Sequence, residues 1–497
     1  MYKNNEKQIM ISDDFFLPFG GKLDKENRWV KMANLIPWWE FEDKYKECFK
    51  PSNTGEQAFS VRIALGTLII KTKLGVSDEE TVHQIAENAY LQYFLGFPQF
   101  KEGLPFADSL ITHFRKRFSP DILNEVNEKI AISSKKETPK DYNDHNDPPS
   151  SSGSTGEPTD SDEGVDCKKS GKLILDATCT PADIQYPTDA RLLNEAREKL
   201  EEIIDVLHKP EQGSRKKART YRQKAHDSYI AFTKLRKPKP AVIRKMKGKL
   251  LRYLRRDIKI IEVLAERNGL ELLNRRQYKN LLVVQELYRQ QLEMFENRKY
   301  RTEDRIVSIS QPHVRPIVRG KASAAVEFGA KLSVSVVNGF VFAEKLAWDA
   351  YNENGTLIDS LKRYKAKYGF YPEAILADKI YRTRENRDYC KTKGIRLSGP
   401  KLGRPSEEEK KEAKQQAYQD SCERNEVEGK FGTGKRKYTL DCIMAKLKET
   451  SESMIILNLL VMNLDKKLRL LLRKFLGKGF WGGIIPERWM KLEFGKL

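Results

Sequence analysis

The chain has 497 residues, with 91 Lys or Arg against 70 Asp or Glu and a formal net charge of +21. At 39% hydrophobic and 32% charged residues it can bury a sizeable core, which excludes an integral membrane protein and a wholly disordered chain. The basic surplus favours a large polyanionic partner, most simply nucleic acid. The length exceeds what one core usually organises and predicts two to four structural units. Cys48, Cys167, Cys179, Cys390, Cys422 and Cys442 form no C-x-x-C pair and the six histidines are scattered, so a zinc site is not expected and the thiols are read as free in a reducing compartment. No apolar core of signal-peptide type follows Met1, and the longest apolar stretch, Met454 to Leu464, is too short to span a bilayer. The expected location is the cytoplasm, at the nucleoid, with no membrane partner.

Residues 1–133 read as a helical unit. Phe59, Ile63, Ala64, Thr67, Leu68 and Ile70 repeat at helical spacing. A second helix opens at Ser77, whose hydroxyl can cap it, with Glu80 three residues on. A third runs from about Asp108 into the cluster Arg115, Lys116 and Arg117. Helix, short turn, helix and a basic end fit a helix-turn-helix DNA reader, and equally a three-helix unit without DNA.

Residues 134–168 read as a disordered acidic linker: between Glu137 and Asp166 nine acids face one Lys, with hardly an apolar side chain to bury. A mixed α/β unit is expected over 169–475, and a tail over 476–497. It opens with an apolar strand, Leu173-Ile-Leu, ending at Asp176. Residues 190–303 then read as a long helical insertion. Within it, Ser214 to Lys259 carries 18 Lys or Arg against Asp227 and Asp257. That segment is either a solvated helical hairpin or a clamp on a duplex backbone, and the size of the excess favours the clamp.

Strand alternation returns from Ala325, with Val326, Phe328, Ala330, Leu332, Val334 and Val336 on one face. Asn338-Gly339 supplies a tight turn to a second hairpin strand. A helix from about Thr356, a strand Ala374–Ala377 ending at Asp378, another helix, a strand Ile395–Leu397 and a long helical end complete the order. The helix with Ile455, Ile456, Leu459 and Leu460 packs under the sheet or against a partner subunit.

An acid closing an apolar strand sits where ligands bind in α/β folds. Asp176 and Asp378 both fit that description, and Glu428 supplies a third carboxylate from the late helix. Three converging carboxylates in a basic protein would be hard ligands for Mg²⁺ or Mn²⁺. Two such ions would suit displacement at a phosphodiester. Each acid alone reads as well as a cap or a salt-bridge partner. Arg424, Glu428 and Lys435 fall within about 40° of one another on a continuous helix. Gly429, Gly432 and Gly434 weaken that helix, so Lys435 lies on it or on a turn just beyond.

These residues carry a resemblance. Arg424, Glu428 and Lys435 reproduce the R-x3-E-x6-K part of the Y-x2-R-x3-E-x6-K signature of bacterial insertion-sequence DDE transposases, with Ser421 where the signature has Tyr and Tyr418 one turn earlier. Leu175-Asp-Ala-Thr-Cys-Thr-Pro resembles the family's first-Asp strand and Ile375-Leu-Ala-Asp-Lys-Ile-Tyr its second. Tyr90-Leu-Gln-Tyr-Phe-Leu-Gly and Ser109-Leu-Ile-Thr-His-Phe-Arg resemble its N-terminal DNA-binding region. The resemblance implies an RNase H-like catalytic domain whose triad is Asp176, Asp378 and Glu428, holding two Mg²⁺ or Mn²⁺ ions. Arg424 and Lys435 would then contact phosphates of the element end, and Arg315, Arg319 and Lys321, in the loop entering the hairpin, are further candidates. Trp348 reads better as a core residue than as a stacking platform for a displaced base. The implied partners are double-stranded DNA, both element ends with their inverted repeats and a target, and a second copy of the chain to pair two ends. A nuclease of the same fold and an inactive, transposase-derived DNA binder are the alternatives.

Overall fold

A computed structural model describes residues 15, 17, 21–49, 57–132, 169–318, 326–400 and 407–479. The whole of the expected linker and most of the expected tail lie outside these residues.

The N-terminal helices are α1 (Arg28–Ala33), α2 (Glu42–Glu47), α3 (Val61–Leu74), α4 (Asp78–Glu87), α5 (Ala89–Phe94), α6 (Ser109–Arg117) and α7 (Pro120–Ile132). Side-chain caps set their starts: Ser60 accepts from Ile63 N–H, Ser77 from Glu80 N–H and Asn88 from Tyr90 N–H. α3 ends at Gly75, whose φ of 70° suits a residue without Cβ. Nearly every side chain of α3 is buried, as expected of a helix apolar on all sides. Arg62 is buried too, because its guanidinium donates to the carbonyls of Phe94 (2.9 Å) and Tyr93 (2.6 Å) at the end of α5.

β1 (Lys172–Pro181) begins the sheet. The insertion follows as α8 (Asp189–His208), α9 (Arg222–Thr233), α10 (Pro240–Asn268) and α11 (Arg275–Glu296), and its buried Leu, Ile and Val residues form a core of their own. Asp189 ties it together at the base, meeting Lys247 and Arg305 at 2.6 Å each and Gln291 at 3.1 Å. β2 (Arg315–Val318), β3 (Val326–Val337) and β4 (Phe340–Ala347) come next. Asn338 and Gly339 take φ of 51° and 73°, so β3 and β4 are joined by the two-residue turn their sequence predicts. α12 (Leu357–Tyr368), β5 (Ala374–Leu376), α13 (Arg384–Thr392), β6 (Arg396–Leu397), α14 (Glu407–Lys437) and α15 (Lys448–Gly479) close the order.

The sheet runs β2-β3-β1-β5-β6, with β4 also beside β3; β1 is antiparallel to β3 and parallel to β5. Leu173 and Leu175 face α12, whereas Ile174, Val334 and Val336 face α15. Ile455, Ile456, Leu457, Leu460, Val461 and Leu464 are all buried because α15 lies between the sheet and the N-terminal helices, packed on β4, α7, α3 and α6. Of the two sequence readings of this helix, packing under the sheet is the one seen. One apolar core therefore runs from Phe15 to Leu468.

Two expectations are corrected. Asp176 does not end its strand, since β1 continues to Pro181; what stops beside it is the shorter β5. Arg315 does not lie in a loop but opens β2, which pairs with β3.

Candidate active site

The site starts from register. Lys172, Leu173 and Ile174 of β1 pair in parallel with Ala374, Ile375 and Leu376 of β5. Two residues further along each chain are Asp176 and Asp378, so the two acids emerge side by side where β5 ends. Ala177 N–H donates to Asp176 Oδ1 at 2.8 Å. Lys379 N–H donates to Asp378 Oδ1 at 2.7 Å, which makes Asp378 the cap of a 3₁₀ turn, Lys379–Tyr381. Asp176 is half-buried and Asp378 exposed.

α14 lies across the parallel strands, held by three ion pairs. Asp420 takes Arg396 of β6 in a bidentate pair at 2.6 and 2.9 Å. Glu423 meets Lys172 of β1 at 2.6 Å. Arg424 reaches Asp378 Oδ1 at 3.4 Å. Val427 is buried under the helix. Burial holds the Asp176 carboxyl above the usual range and the charges of Glu353 and Asp378 add to that, while the Ala177 N–H and the Arg424 guanidinium oppose it.

Glu428 lies one turn beyond Arg424 on α14, exposed and without a hydrogen-bond or ion-pair partner among the described residues. The structure thus brings Asp176, Asp378 and Arg424 together and leaves Glu428 outside that group. Among the described residues no three His, Cys, Asp or Glu lie close enough to hold a metal ion. Lys435 falls in the last turn of α14, which remains helical through Gly429, Gly432 and Gly434. A Cβ at Gly434 would come within 2.6 Å of Leu440 Cδ1 and 3.2 Å of Met462 Sδ, so this glycine lets α14 approach α15.

Comparison with known proteins supplies the family. The family model described as "Transposase DDE domain" matches residues 375–465, which include Asp378, Arg424, Glu428 and Lys435. The one described as "Transposase domain (DUF772)" matches residues 18–117, covering α1 to α6. An uncharacterized protein of Rhizobium meliloti, ORF8 in the nfe locus, is 30% identical over 171 residues, which is 34% of this chain and 70% of that protein. The chain belongs to the DDE transposases. No solved structure matches it.

In this transposase the basic residues singled out from sequence are in different situations. Arg115 pairs with Asp78, and Arg117 donates to Tyr45 Oη at 3.1 Å over the Phe49 ring. Lys116 is exposed and unpaired among the described residues. Arg315 is held by the carbonyls of Pro312 (2.5 Å) and Val314 (3.2 Å). Arg319 and Lys321 lie outside the described residues. Trp348 is buried in the core, stacked edge-on to His313 and donating to Glu452 at 2.8 Å. Burial lowers the His313 pKa to about 4, so that ring is neutral. Glu353, missed in the sequence, sits in a 3₁₀ turn ahead of α12, with Lys331 at 2.8 Å. The surrounding Asn-Glu-Asn-Gly reads only as a turn and carries no signal of a charge near Asp176. The transposase has no helix, among the described residues, that is long and apolar enough to cross a membrane.

Proposed function

We propose that this transposase cuts phosphodiesters at the ends of its element and joins the freed 3′-hydroxyl to target DNA, with Asp176, Asp378 and Glu428 as the catalytic carboxylates of an RNase H-like domain. The observation that supports the reading most is the in-register placement of Asp176 beside Asp378, with Arg424 reaching them from α14. Carboxylate oxygens are the donors that Mg²⁺ and Mn²⁺ select, and Asp176 and Asp378 fit such an ion in type and placement. Glu428 is the third donor by motif, carried on the helix that Arg424 pins to Asp378. Two divalent ions, when bound, would polarise the phosphodiester and activate the attacking hydroxyl.

The chain's own groups do the rest. The backbone N–H groups of Ala177 and Lys379 each hold one carboxylate oxygen and so fix the orientation of both acids. Arg424 keeps a guanidinium next to them, where it would meet a phosphate oxygen of the strand being cut. Lys435 would contact the same strand further along α14, and Lys116 a phosphate of the duplex end held by the N-terminal helices. Joining two ends requires two such sites, hence at least a homodimer on the DNA. Work of this kind belongs at the nucleoid.

The test is cleavage and joining of a duplex carrying the element's end sequence, with Mg²⁺ or Mn²⁺. Asp176→Asn, Asp378→Asn and Glu428→Gln should each cost about 100-fold or more in rate, the size expected for a lost ligand. A variant that cuts as well as the wild type removes that residue from the triad. Cleavage without joining would favour the nuclease reading.

A further inference from the structure

The insertion holds a cavity of about 710 Å³ between the end of α8, the segment that follows it, and the second half of α10. Its lining has two characters. Seven Lys or Arg surround it against one carboxylate, Glu211, and four of them, Arg252, Arg255, Arg256 and Lys259, follow the i, i+3, i+4, i+7 spacing that puts them on one face of α10. Lys216, Arg252 and Lys259 have no ion-pair or hydrogen-bond partner among the described residues. Arg256 rests against the Tyr221 ring at 4.5 Å, and its Nη1 is buried without a hydrogen-bond partner. The rest of the lining is His208 and the apolar side chains of Ile204, Ala218, Ile260, Val263 and Leu264.

A duplex backbone presents phosphate and sugar on a convex surface. It would use the cations and leave a concave apolar lining in water. A strand whose bases are unpaired uses both, with phosphates on the guanidinium and ammonium groups and a base against the aliphatic side chains. We propose that this cavity is a seat for an unpaired DNA segment, separate from the Asp176–Asp378 site. The inference rests on the reading that the chain handles DNA, and it narrows the expected duplex clamp to a site with a different ligand.

The experiment is fluorescence anisotropy on the full chain, with a labelled oligothymidylate and a duplex of equal length, over a range of salt concentrations. The double variant Arg252→Gln/Lys259→Gln should lose at least about 10-fold in single-strand affinity, and its log K against log salt slope should fall by about 1.4, from about 0.7 for each lost phosphate contact. Val263→Gln, at an exposed position, should weaken single-strand binding about 3-fold or more and leave duplex binding unchanged. If the double variant binds the single strand like the wild type, the cavity is not the seat. If it weakens single strand and duplex equally while Val263→Gln changes neither, the site takes a duplex backbone and the proposal is overturned. Melting curves within about 2 °C of wild type show that the variants fold. Asp176→Asn should bind the oligothymidylate like the wild type, so a failed catalytic reading and a failed cavity reading give different results.

Discussion

Asp257 is fully buried in the insertion, yet neither of its carboxylate oxygens has a hydrogen-bond partner among the described residues. Burial and the nearby Glu201 raise its pKa to about 7, against the pull of Arg256, Arg197 and Arg222. An unfolded Asp titrates near 3.9, so the folded chain binds this proton more tightly than the unfolded one. The stabilisation is complete below about pH 4 and is lost as pH rises through about 7. Asp257→Asn should therefore match the wild type near pH 4 and exceed it by about 1–3 kcal/mol near pH 8, read from melting curves at both pH values. A difference that does not change with pH would show that Asp257 stays ionised in the fold. Arg62 is the opposite case, a buried charge whose donors are taken up by two carbonyls.

At the scale of elements, β4 is the instructive one. Its side away from β3 has no strand partner among the described residues, and two buried amides serve it instead. Val341 N–H donates to Asn463 Oδ1 at 2.9 Å, and Asn463 Nδ2 and Asn127 Nδ2 donate to Val341 O at 2.7 and 3.1 Å. Asn463 Nδ2 also meets Asn127 Oδ1 at 2.7 Å, which links α15 to α7. Asn463→Ala would leave the buried Val341 N–H of β4 and Asn127 Oδ1 of α7 unpaired and should cost about 2–4 kcal/mol in denaturant unfolding. A loss under 0.5 kcal/mol would mean that water replaces the amide. Elements with a local signal were legible in the sequence: the β3–β4 hairpin has period-2 alternation and an Asn-Gly turn, and the helices of the insertion have their apolar stripes. β2 was not, because four residues including Pro316 are too few to alternate visibly. The register that sets Asp176 beside Asp378 was not legible either, since parallel pairing across some 200 residues leaves no trace in either segment. Gly434 read as a weak point in a helix; its reason, the closeness of α15, lies outside α14. The motif Arg424, Glu428 and Lys435 placed all three on one helix, and of these Arg424 is seen to reach an acid of the pair.

For the whole molecule, the central fact is that α15 completes two structures at once. Its apolar sides are covered by the N-terminal helices and by the sheet, and Asp465 binds Lys73 of α3 and Tyr438, just beyond α14. A chain opened between residues 132 and 169 should consequently stay in one piece. Fragments 1–132 and 169–497, made together, should co-elute on gel filtration as a single particle and unfold in one transition with each other. Made separately, the larger fragment should expose α15 and aggregate. Two fragments that separate cleanly and remain soluble alone would show that the joint core contributes little. The order of synthesis gives this arrangement a further meaning. A ribosome makes the helices of 28–132 first and the helix that seals them last. Until residues 448–468 have emerged, the N-terminal helices lack one wall of their core, and so does the sheet. A message cut short before that point leaves both the N-terminal helices and the sheet with an open apolar face.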